Sequence, residues 1–194
     1  KIETDFGGFS GSNTMLRIRQ AYVNLDWGKS AVLVGITWHP LFGAVMPDVL
    51  NLSTGAPFQP FNRSPQIRYQ YKANSRVQLT ASVLWQLQYL SSGPKGMSED
   101  YIKNSCIPEM FVGADFTPAD GWLMGLGAHM ISLKPRTSTE WKEQTFKVNE
   151  RMTAFSYEAH LKYSGRNYTF AAKTLMASAL DHTGLDCPAG AHLH

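Results

Sequence analysis

Apolar and polar residues alternate along most of this chain with a period of two, the mark of strands that show one face to each environment. The longest case is residues 76–90. Val77, Leu79, Ala81, Val83, Trp85, Leu87 and Tyr89 share one face; Gln78, Thr80, Ser82, Leu84, Gln86 and Gln88 share the other. Residues 152–164 repeat the scheme, with Phe155, Tyr157, Ala159, Leu161 and Tyr163 opposite Ser156, Glu158, His160 and Lys162. In residues 66–72, Ile67, Tyr69 and Tyr71 oppose Arg68, Gln70 and Lys72. Adding residues 1–6, 14–26, 31–39, 108–117, 122–133 and 167–177 gives nine predicted strands, and helical periodicity is nearly absent. Parity breaks once: Arg17 and Arg19 share it with Ala21, Val23 and Leu25. Either a β-bulge switches faces there, or a folded-in loop or subunit contact covers part of the strand.

The connections alternate in length. Residues 27–29, 73–74, 118–121 and 165–167 are turns rich in Gly, Asn, Asp or Pro. Residues 7–13, 40–64, 91–107 and 134–151 are longer links. Short turns on one rim and long loops on the other describe an antiparallel up-and-down barrel of the kind that spans outer membranes. A soluble β-sandwich also alternates, but its turn signals come every ~8–12 residues, against about 20 here. Aromatic residues near strand ends, among them Trp27, Trp38, Phe116, Trp122 and Tyr168, fit two interfacial girdles.

Composition sharpens this picture. Among 194 residues, 17% are charged and 12% aromatic, which excludes a disordered chain. The mean hydropathy of −0.23 and the lack of a long apolar run exclude a membrane-spanning helix. Eighteen basic against 15 acidic residues, without a basic run, give no sign of a nucleic-acid partner. Cys106 and Cys187 lie on predicted links, and an oxidising envelope would permit a disulfide between them. The first residues, Lys1 to Phe6, already read as a strand, so a mature or truncated chain is expected.

The stretch from Leu16 to Trp27, reading LRIRQAYVNLDW, followed by Leu33-Val34-Gly35-Ile36-Thr37-Trp38, resembles Gram-negative outer-membrane porins. So does Ser64-Pro65-Gln66-Ile67-Arg68-Tyr69. The likeness covers residues 14–71 and is architectural beyond them. It implies a larger transmembrane β-barrel, often trimeric, of which these nine strands are part. It also implies a lipid-bilayer setting in the bacterial outer membrane, and a long loop that folds inward to narrow the channel.

Lumen-facing candidates are Arg17, Arg19, Arg68, Lys72, Gln78, Thr80, Gln86, Glu158, His160, Lys162 and Lys173. Arg17, Arg19 and Arg68 form either an anion-attracting ladder or part of a charge-balanced wall. In the link 40–64, Asp48, Asn51, Gln59, Asn62 and Arg63 are the candidate polar edge of a constriction. His39, His129 and His160 share the polar parity of their strands and read as wall residues, because no short-range ligand spacing joins them. The terminal Asp181-His182 to His194 stretch reads as a loose end. No cofactor or metal is expected, and no GxSxG or HExxH motif suggests an enzyme. The function expected is passive diffusion of small hydrophilic solutes; the alternative is a soluble, lectin-like carbohydrate-binding β-sandwich.

Overall fold

The computed structural model describes residues 1–10, 13–43, 45, 59–87, 89–142 and 144–183. In chain order the elements are β1 (Ile2–Ser10), β2 (Asn13–Asp26), β3 (Ser30–Trp38), β4 (Arg63–Lys72), β5 (Val77–Leu84), β6 (Ser92–Gly93), β7 (Gly96–Met97), helix α1 (Asp100–Ser105), β8 (Glu109–Phe116), β9 (Trp122–Leu133), β10 (Ser138–Trp141), β11 (Gln144–Lys147), β12 (Met152–Ser164) and β13 (Thr169–Met176). Nine of these strands form one antiparallel sheet in the order β1-β2-β3-β4-β5-β8-β9-β12-β13. They are the nine strands the alternation predicts. The sheet is not closed: β1 and β13 are its two edges. Two small hairpins, β6–β7 and β10–β11, and α1 lie within the long links, where no element was expected. Among the described residues no helix is long and apolar enough to cross a membrane.

Three boundaries differ from expectation. The strand expected over 76–90 ends at Leu84, because the Gln86 side chain turns back and bonds to both the backbone and the hydroxyl of Ser91. The expected long link 7–13 is largely strand: Ser10 at the end of β1 pairs with Asn13 at the start of β2. Arg63 and Ser64, placed in the loop by sequence, begin β4, where Arg63 pairs with Trp38.

The parity break in β2 is a bulge. Glu3 pairs with Gln20 but Thr4 pairs with Ile18, so Arg19 is the extra residue. The bulge puts Gln20 on the same face as Arg17 and turns Val23 and Leu25 outward, where both are exposed.

The two faces of the sheet invert the usual order of burial. Val112 is 58% exposed, Leu126 67% and Tyr157 53%. The polar positions opposite them are buried: Ser82 at 5%, Glu158 at 5% and His160 at 7%. Inward residues of β2 to β5, β8 and β12 surround one cavity, so the sheet curves into a trough. Its long-link end holds the apolar core. Leu41, Leu84, Phe111 and Leu180 form one cluster, with Leu175 packed against it. Tyr101 and Ile102 of α1 pack on Ile131 and Leu133 in another.

Candidate functional site

The site is the cavity on the concave face, about 440 Å³, between the loop residues Pro40, Phe42 and Gly43 and the strand positions Gln78 and Asp115. Of the residues expected to line a lumen, Arg68, Gln78, Thr80, Glu158 and His160 do line it. Arg68 is held by its neighbours: its Nε and Nη2 donate to Gln66 Oε1, and Nη2 donates to the Trp38 carbonyl at 2.7 Å. Gln66 is itself fixed, donating through Nε2 to the carbonyls of Thr37 and Trp38. On the facing wall His160 sits between two carboxylates, with Nε2 3.2 Å from Asp115 and Nδ1 3.2 Å from Glu158. Gly125 makes the room for this: a Cβ there would stand 2.2 Å from His160 Cε1 and 2.5 Å from Asp115 Oδ1. Amides, hydroxyls and charges of both signs thus face one cavity, equipped to hydrogen-bond a polar solute without fixing a single charge type.

Of the two readings of the arginines, an anion-attracting ladder or a charge-balanced wall, Arg17 and Arg19 fit the second, being paired with carboxylates. Arg17 grips Asp5 through two hydrogen bonds of 3.0 and 2.7 Å. Arg19 reaches both Asp5 at 2.9 Å and Glu3 at 3.3 Å, and Gln20 donates to Glu3 at 2.7 Å. Sequence reasoning missed Glu3 and Asp5, although both sit on the polar parity of residues 1–6. Lys72 and Lys162 lie near the short turns, away from the cavity. Gln86, expected on the lumen wall, lies beyond the end of β5 and is fully buried, donating to Glu109 Oε1 at 2.8 Å.

Part of the long loop folds inward. Pro40–Phe42 form a 3-10 turn whose Leu41 is fully buried, and Val45 is buried too. Lys173 on β13 crosses the trough and donates to the carbonyls of Leu41 and Phe42 and to Gln59 Oε1. Asn62 is buried and accepts from the Ser64 hydroxyl. Arg63 is a strand residue stacked over the Trp38 ring at 4.6 Å, so it is not a loop edge. Asp48 and Asn51 lie outside the described residues, as does Cys187; Cys106 is exposed just beyond α1.

Where His39 meets the cavity, the trough holds a buried cluster that sequence spacing did not reveal. Glu109 opens β8, His39 follows β3, His129 is on β9, and His182 is in a 3-10 turn, Asp181–Thr183. All four are buried to 2% exposure or less. The Nε2 atoms of His39, His129 and His182 lie 3.4, 3.2 and 3.2 Å from one oxygen, Glu109 Oε2. His182 therefore does not belong to a loose end: Leu180 anchors that segment in the core, and Asp181 accepts the Ser92 N–H. His160 stays apart on the other wall. Burial pushes His39 down to about 4 against the pull of Glu109, so it is neutral at pH 7. Burial also opposes charge on His182, but the Glu109 carboxylate outweighs it and raises His182 above its ordinary value.

Comparison with protein families, curated proteins and solved structures found no match to this chain.

Proposed function

We propose that this chain forms the wall of a bacterial outer-membrane β-barrel of porin type, through which small hydrophilic solutes diffuse passively. One observation carries the reading: the apolar stripes of the strands face outward and are exposed, while the polar stripes face the concave side and its cavity. In water, such a surface would leave a large contiguous apolar area uncovered. In lipid it is the expected arrangement for a barrel strand. The edges β1 and β13 are then closed by further strands, because unpaired backbone groups cost several kcal/mol each in hydrocarbon. Transport needs no chemistry. A path lined by dipoles and paired charges replaces the solute's hydration, and bore and wall charge set what passes.

The test is reconstitution of the full-length protein. It is expected to require detergent, to partition into liposomes and to give stepwise conductance in planar bilayers. A chain that is monodisperse in buffer without detergent, or liposomes that remain closed to small solutes, would overturn the reading.

A further inference from the structure

We propose that His39, His129 and Glu109 bind a divalent transition cation of the Zn²⁺ class at the base of the trough, as a buried structural site. The imidazole and carboxylate ligand atoms of these three residues lie within 4.8 Å of one another. Hydrogen bonding alone accounts poorly for the cluster. A carboxylate oxygen offers two lone pairs, yet three imidazole nitrogens crowd Glu109 Oε2 at 3.2 to 3.4 Å. Charge-assisted N–H···O⁻ bonds are shorter, ~2.7–2.9 Å. Nor is the set satisfied: among the described residues, His39 Nε2 and His129 Nδ1 are buried without a hydrogen-bond partner. The separations of Glu109 Oε2 from His39 and His129, 3.4 and 3.2 Å, match neighbouring ligand atoms in a coordination shell. Bonds of ~2.0–2.1 Å to a tetrahedral Zn²⁺ place neighbouring ligand atoms about 3.3 Å apart.

The surroundings suit a ligand set. Gln86 donates to Glu109 Oε1 and is itself bonded to Ser91, which orients the carboxylate and leaves Oε2 facing the histidines. Two imidazoles with one carboxylate select Zn²⁺, Co²⁺ or Ni²⁺ over Mg²⁺ or Ca²⁺. His182 contacts the same Glu109 oxygen at 3.2 Å but lies outside the set of three. Binding moves one proton: Nδ1 of His39 accepts the Leu41 N–H at 3.1 Å, so Nε2 carries the ring proton in the metal-free state. The cation displaces it, the ring protonates at Nδ1, and the Leu41 contact opens. A bound ion would pin the end of β3, β8 and β9 at one point beneath the docked C-terminal turn.

The experiment titrates the full chain with Co²⁺ after chelator treatment and desalting. One equivalent with tetrahedral visible bands is expected, displaced by Zn²⁺. His39→Gln and His129→Gln should each weaken binding by more than about a hundredfold. His160→Gln, which changes a residue outside the ligand set, should leave it unchanged. A folded wild-type chain that takes up neither Co²⁺ nor Zn²⁺, or uptake that both glutamine variants retain, overturns the proposal. Should the variants not fold, X-ray absorption on the Zn²⁺-loaded wild type decides: a shell with two imidazoles supports it, and one without imidazole refutes it.

Discussion

At the scale of single residues, glycine and charge carry the clearest consequences. Gly35 lies within β3 at φ +134°, and a Cβ there would stand 2.2 Å from the Ala21 carbonyl and 2.7 Å from the Tyr22 Cα. Both obstacles are backbone, which cannot swing aside. Gly35→Ala should therefore destabilise the protein by about 2–4 kcal/mol, as clash adds to conformational strain. Gly28, at φ +83° in the turn after β2, has nothing within 4 Å of the place a methyl would take, so Gly28→Ala should cost only about 1 kcal/mol. Urea unfolding of both variants checks the ranking. Asp5 answers a different question. It neutralises Arg17 and Arg19 together, and the pairs are half-exposed, so Asp5→Asn should change stability by about 1 kcal/mol or less. In a channel it should shift the reversal potential under a salt gradient toward anions. No shift would place this cluster away from the permeation path.

Elements were legible where one short-range rule decides them. Alternation alone located all nine strands of the sheet, because each strand's two faces meet different surroundings and a one-residue slip would exchange them. The break in parity in β2 was legible for the same reason, with a bulge as one of two readings; the register decides for the bulge. What escaped was set by longer-range contacts. Gln86 continues the alternation of β5, yet it leaves the strand because Ser91 and Glu109 take its amide. Helix α1 has six residues, too few for a period, and owes its place to Tyr101 and Ile102 packing on β9. The histidine cluster joins residues from four separate stretches, a meeting that depends on the paths of two loops. The inverted faces also make a prediction at this scale. Val112 and Leu126 are exposed on neighbouring strands β8 and β9. If that face meets lipid, Val112→Arg and Leu126→Arg should each reduce stability in bilayers by about 2–4 kcal/mol near the midplane. Exposed positions in a soluble protein would tolerate the same changes within about 0.5 kcal/mol. Folding into liposomes, followed by gel mobility, separates the two cases.

Across the whole molecule, the bore depends on how much of the trough the long loop fills. At the start of that loop Pro40 and Leu41 are buried, and Lys173 ties the Leu41 and Phe42 carbonyls to β13 on the other side of the sheet. That tie is a lysine shared among two carbonyls and the Gln59 amide oxygen, so a single substitution can release it without touching the strands. Lys173→Met keeps the length of the side chain and removes all three hydrogen bonds. It should leave the sheet assembled, lower stability by about 1–3 kcal/mol through carbonyls left without a donor, and free the loop to leave the cavity. Single-channel recordings should then show higher mean conductance with more frequent closures. Deleting residues 44–60 should raise conductance further, because it removes Gln59 and the bulk of the loop while Lys173 keeps its bonds to the Leu41 and Phe42 carbonyls. Conductance unchanged by the deletion would mean that this loop lies on the rim and that the cavity wall alone sets the bore. The two variants together therefore separate a constriction from a cap: a constriction responds to both, in the same direction and in that order of size.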